Sequence, residues 1–133
     1  MKATDLMIGD WVRNKEGKNE QVTSLYDGYI CTETHEDSHD YHFEPVPLTP
    51  EILEKNGFVK NGSSYDLREG RHHIYIIFHN GKWAIDIHNE LALKDSIGRA
   101  DLICFGRDWA EKYYVHELQH VLRLCGIDKE ITL

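Results

Sequence analysis

The chain has 133 residues, 41% of them apolar and 29% charged, the balance of a globular domain with its own core and not of a disordered chain. No apolar run reaches the ~18 residues that mark a membrane span. The net charge of −8 opposes nucleic-acid binding, which rests on neutralising phosphates.

The opening Met1-Lys2-Ala3-Thr4-Asp5-Leu6 lacks the apolar core of a signal peptide. Cys31, Cys104 and Cys125 show no C-x-x-C spacing, so reduced, buried thiols in a cytoplasmic protein are expected. Residues 1–47 carry four Lys/Arg against ten Asp/Glu, and residues 48–133 carry eleven against thirteen. The acidity therefore sits in the first third.

That first third reads as three short strands. Asp10–Asn14 leads through the polar turn Lys15–Lys18 to the alternating run Glu20–Tyr26. Asp27-Gly28 is a hairpin pair, and Tyr29–Thr34 returns. A small, curved, SH3-like β-barrel module is the expected arrangement for residues 1–47. His35-Glu36-Asp37-Ser38-His39-Asp40-Tyr41-His42 is rich in metal-ligand types, but without a fixed backbone it reads as a solvated acidic loop.

Pro45, Pro47 and Pro50 are the three prolines of the chain and form a stiff connector. Thr49 is a suitable N-cap and Pro50 a suitable first helical residue. Gly57 can end this short helix in the left-handed conformation, with Phe58 as an apolar seal. Strands are expected near 63–69, 72–79 and 82–88. Asn80-Gly81 is a type I′ hairpin signal, and its two-residue loop fixes the register. Phe78 then faces Trp83, Ile76 faces Ile85 and Ile74 faces Ile87 on a buried side, while Tyr75–Asp86 and His73–His88 pair on the other. Asp108 and Glu111 resemble a capping box, and Gly126 is a stop signal, so one helix is expected from about 109 to 125. A short strand at Ile131–Leu133 would complete an α+β fold with an antiparallel sheet, the last helix packed on it, and residues 48–133 as a second module or a continuation of the first.

His116-Glu117-Leu118-Gln119-His120 matches H-E-x-x-H. On a helix the two imidazoles share a face and can bind one Zn²⁺, with Glu117 as general base on a metal-bound water. Zinc needs a third protein ligand, and the extended motif fails: Arg123 stands where it wants Gly and Gly126 where it wants His. Only 13 residues follow His120, none of them His. His73, His88 and Asp86 are the nearest upstream suppliers, and packing of both elements through their apolar faces tends to separate them from the helix. No metal and no cofactor is therefore expected. With Tyr114, Val115, Val121, Leu122 and Cys125 within roughly 60° of Leu118 on the core side of the wheel, the opposite side carries Trp109, His116, His120 and Arg123, with Tyr113 near them. Trp, Tyr and Arg are interface anchors, so this face is the candidate contact surface for a protein partner or a second copy.

Three segments carry a resemblance: Leu6-Met7-Ile8-Gly9-Asp10-Trp11-Val12, Pro47 to Phe58, and Tyr114-Val115-His116-Glu117-Leu118-Gln119. Together they are similar to a group of small uncharacterised proteins of Bacteroidetes genomes, their phages and mobile elements. In that group the last segment commonly reads V-H-x-L-Q-N, so His120 stands where Asn is usual. The resemblance carries over no functional residue and implies an intracellular accessory role. The expected function is non-catalytic protein interaction, with a zinc-dependent hydrolase using His116, Glu117 and His120 as the alternative.

Overall fold

The computed structural model describes residues 1–35, 42–89 and 102–133. It divides into two compact units: Met1–Pro47 with Tyr114–His120, and Leu48–Tyr113 with Val121–Leu133. The change at Pro47/Leu48 coincides with the proline connector, but the start of the last helix belongs with the N-terminal residues. Among the described residues no helix is long and apolar enough to cross a membrane.

In the first unit, β1 (Trp11–Arg13), β2 (Asn19–Tyr26), β3 (Tyr29–Thr32) and β4 (Glu44–Pro45) form an antiparallel sheet in the order β3-β2-β1-β4. Among the described residues no pairing closes β3 onto β4, so the sheet is open where a barrel was expected. Asp27 and Gly28 have φ of 49° and 81°, the double positive φ of a type I′ turn. Leu6, Val12, Val22, Ile30 and Phe43 form the buried cluster. Residues 36–41 of the acidic segment lie outside the described residues.

The second unit begins with α1 (Pro50–Lys55). Thr49 Oγ1 accepts the Ile52 N–H at 3.3 Å. At the far end Gly57 takes φ 88°. Its N–H donates to the Glu54 carbonyl, and the Phe58 N–H donates to the Leu53 carbonyl, a Schellman motif with Phe58 as its buried apolar seal.

A five-stranded antiparallel sheet follows, in sequential order. Its strands are β5 (Val59–Asn61), β6 (Ser64–Glu69), β7 (His72–His79), β8 (Lys82–Asn89) and β9 (Leu102–Ala110). Asn80 and Gly81 have φ of 51° and 74°. Phe78↔Trp83, Ile76↔Ile85, Ile74↔Ile87, Tyr75↔Asp86 and His73↔His88 all pair in the expected register. The four isoleucines are at most 1% exposed. Phe78 corrects the expected burial: it is 41% exposed against Trp83 at 7%, with the two rings in contact at a centroid distance of 4.6 Å.

The expected helix from 109 to 125 is corrected at its start. Residues 102–110 are β9, and the helix, α2, runs from Val115 to Leu124. The Asp108-to-Glu111 spacing imitates a cap, but Leu102–Ala110 pairs with β8 instead. Tyr114 is extended against Pro47, and the Val115 N–H donates to the Val46 carbonyl at 2.9 Å. The end is as expected: Gly126 has φ 67°, and Ile127 N–H donates to the Leu122 carbonyl. Ile131–Leu133 is not a strand. Instead the Asn56 side-chain amide donates to the Thr132 carbonyl and accepts its N–H, both at 2.8 Å.

Candidate functional site

The H-E-L-Q-H segment starts α2, and Glu117, Gln119 and His120 each make a defined structural hydrogen bond. Val115 is the first helical residue, which puts Glu117 at the third position of the first turn. Tyr114 has no side-chain acceptor suited to capping the exposed N–H groups, and Glu117 Oε2 instead accepts the Tyr114 N–H at 2.9 Å. That is the glutamate half of a capping box, and it also places a negative charge at the positive end of the helix dipole.

Gln119 is 7% exposed. Its Oε1 accepts the Trp11 N–H at 3.0 Å and its Nε2 donates to the Gly9 carbonyl at 2.9 Å. Its amide thus pairs with the backbone of residues 9–11 as a neighbouring strand would. Those residues leave a tight turn. Met7 to Asp10 closes with the Asp10 N–H on the Met7 carbonyl at 3.1 Å, and Gly9 has φ 90°, the positive value a type II turn requires at its third position. The Asp10 side chain, fully buried, accepts the Met7 N–H at 2.7 Å.

The same carboxylate meets the helix. His120 Nε2 donates to Asp10 Oδ2 at 2.5 Å, with the His120 side chain 21% exposed. A buried carboxylate must be hydrogen-bonded or charge-paired, and here both the turn and the helix serve that need. The two sequence segments Gly9-Asp10-Trp11 and Gln119-His120 therefore form one hydrogen-bonded lock within the first unit.

His116 lies one turn before His120, with ring centroids 5.6 Å apart and planes at 73°. It stacks on Tyr114 at 5.9 Å and 14°. Its Nδ1 is buried without a hydrogen-bond partner among the described residues. Burial, the largest influence, pushes the imidazole below its ordinary value. The Glu117, Asp10 and Asp5 carboxylates pull the other way and do not prevail. His116 is thus a neutral ring at neutral pH.

Two of the polar groups that a zinc hydrolase would use are engaged elsewhere. Glu117 is turned back onto the helix end, and Asp10 occupies the Nε2 of His120. Among the described residues no group of three His, Cys, Asp or Glu side chains is placed to hold a metal ion. His73 and His88 are brought together as cross-strand neighbours, but in the second unit.

Of the expected contact face, one residue is corrected. Tyr113 is 2% exposed, because residues 111–114 precede the helix and are not part of its outer side. Trp109 lies on β9, and its side chain is outside what the structure describes. His116 and His120 are half-buried, and Arg123 is exposed near the helix end. Cys31 and Cys125 are half-buried and not disulfide-bonded. Burial pushes the Cys125 thiol up, away from nucleophilic character.

Sequence reasoning missed Asp10 and Gln119. The signal for Asp10 was a carboxylate inside an apolar run, Leu6-Met7-Ile8-Gly9-Asp10-Trp11-Val12, where burial demands a partner. No family model, no curated protein and no solved structure matches the chain.

Proposed function

We propose that the chain is a non-catalytic interaction module whose contact point is the locked N-terminal turn. One observation carries this reading. The turn presents Met7 and Ile8, 41% and 64% exposed, on a backbone fixed by Asp10, Gln119 and His120. Two large apolar side chains held rigidly in water bind a partner without the entropy cost of ordering a loop. The partner is another protein or a second copy of this chain. The accessory role in phage or mobile-element biology implied by the resemblance fits a module of this kind. So does an SH3-like reading of the first module, supported by the β1–β3 meander and by the bulge between Val22 and Ser24, which bends a strand.

Photo-crosslinking from a benzoylphenylalanine placed at Ile8, in cells, tests the proposal. A discrete adduct is expected from position 8 and none from a control at Lys55. A doubled mass identifies self-association, and any other mass a separate partner. The adduct should disappear with Met7→Glu. No discrete adduct from position 8, or an equal adduct from position 55, would overturn the proposal.

A further inference from the structure

The chain turns two hairpins with the same backbone and different chemistry at their tips. Asn80-Gly81 stands between His79 and Lys82, while Asp27-Gly28 stands between Tyr26 and Tyr29. A type I′ turn needs positive φ at both central residues. The uncharged Asn80 and the charged Asp27 meet that need alike, at 51° and 49°. The Asp27 carboxylate is therefore not demanded by the turn. A Cβ on Gly28 would meet nothing within 4 Å, so the turn is open on that side.

The register sends the tyrosines outward. Leu25 pairs with Ile30, and Tyr26 with Tyr29. Ile30 belongs to the buried cluster, with Leu25 packed against it. Successive side chains of a strand alternate between faces, so Tyr26 and Tyr29 share the other face, 74% and 40% exposed. Directly opposed residues hold their Cβ atoms about 4.5–5.5 Å apart, so the two side chains leave the sheet as neighbours. The charge around them has one sign. From Asn19 to Pro47 the sequence has seven Asp/Glu and no Lys or Arg. Arg13, Lys15 and Lys18 belong to the other end of β2, where Arg13 pairs with Asn19. At ~3.3 Å per residue that end is roughly 20 Å from Tyr26.

We propose that this tip docks an arginine-bearing segment of a partner protein, the guanidinium against the Tyr26 and Tyr29 rings with Asp27 as its counter-charge. An aromatic face attracts a cation, and the planar, weakly hydrated guanidinium stacks there better than an ammonium. The surrounding carboxylates favour a basic segment and repel an acidic one. The site shares no residue with the Met7–Ile8 turn, so either contact can fail without the other.

Three end-capped peptides are the probes, in which serine alternates with arginine, lysine or glutamate. Each is titrated into the full chain at low salt and followed by amide NMR shifts. Saturable shifts from Tyr26 to Tyr29 are expected with the arginine peptide, weaker binding with the lysine peptide and none with the glutamate peptide. Tyr26→Ser should weaken arginine-peptide binding about two- to fivefold, the loss of an exposed cation–π contact. Asp27→Asn keeps the turn and should weaken it roughly twofold, the worth of an exposed ion pair. Val59→Ser, at an exposed apolar site of the second unit, should leave it unchanged. Tyr26 is exposed, so its variant keeps the fold, and unchanged dispersion of the other amides verifies this. Absence of saturable shifts at the hairpin, equal binding of the lysine peptide, or equal weakening by Tyr26→Ser and Val59→Ser would each overturn the proposal. So would hairpin shifts that grow with protein concentration alone, which would mark a second copy as the occupant.

Discussion

The two units hold their chain segments in contrasting ways. In the second, strands of up to nine residues pair in sequential order, and a two-residue turn fixes their register. Backbone ladders and four fully buried isoleucines supply the order. In the first, β1 has three residues and β4 two. The turn before β1 is held by side chains from Gln119 and His120, over a hundred residues away in sequence. One region is ordered by local pattern and apolar burial; the other adds to its apolar cluster a few polar side chains reaching across the chain. The contrast has a common element: Asn56 in the second unit pairs with the Thr132 backbone as Gln119 does with residues 9–11. A side-chain amide can complete a backbone edge wherever a strand is too short to do so.

The contrast predicts different responses to substitution. The largest belongs to the second unit: Ile76→Ala, at a fully buried site, should cost about 2 to 5 kcal/mol by cavity formation. Its urea midpoint, followed by circular dichroism, should fall accordingly, and a shift below half a kcal/mol would break the burial side of the comparison. Gln119→Leu keeps bulk but strands the Trp11 N–H, so it should cost about 1 to 3 kcal/mol. The loss should be local: hydrogen exchange at Trp11 should accelerate while exchange at Ile76 and Ile85 stays slow. Equal acceleration in both places would show that the two regions do not differ in this way.

Two smaller effects sharpen the comparison. Thr49→Ala removes the α1 cap and should cost about 1 kcal/mol, read as a lowered midpoint with unchanged exchange at Trp11. The last effect concerns pH. His116 is held below the ordinary imidazole value of 6.5, so the unfolded chain takes up its proton first. The stability from its neutral form is complete above that value and is lost as pH falls from there toward the folded value. His116→Phe should flatten that part of the midpoint-against-pH curve, and an unchanged slope would remove His116 as its source.

Legibility from sequence followed the same division. Asn80-Gly81 and the alternation around it specified the register of β7 and β8 residue by residue, because turn chemistry and period-two burial are local. Thr49, Pro50 and Gly57 marked both ends of α1 for the same reason. The start of α2 was misplaced because Asp108 and Glu111 satisfy a capping rule that pairing of β9 with β8 overrides. β5 was missed since its three residues are all exposed and show no alternation. The H-E-x-x-H match was visible, but its meaning lay elsewhere: Glu117 caps its own helix, and His120 answers a carboxylate that spacing within the motif cannot reveal. Tyr113 reads as an outer-face residue only on a helix that starts too early.

The H-E-L-Q-H helix start is a structural lock on the N-terminal turn. The most direct measurement is the imidazole NMR spectrum of the full chain, before and after one equivalent of Zn²⁺. A slowly exchanging, downfield His120 Nε2–H that vanishes in Asp10→Ala is expected, with His116 neutral at pH 7 and neither ring shifted by the metal. A His120 Nε2 without its proton, together with stoichiometric zinc shifts on both rings, would contradict it.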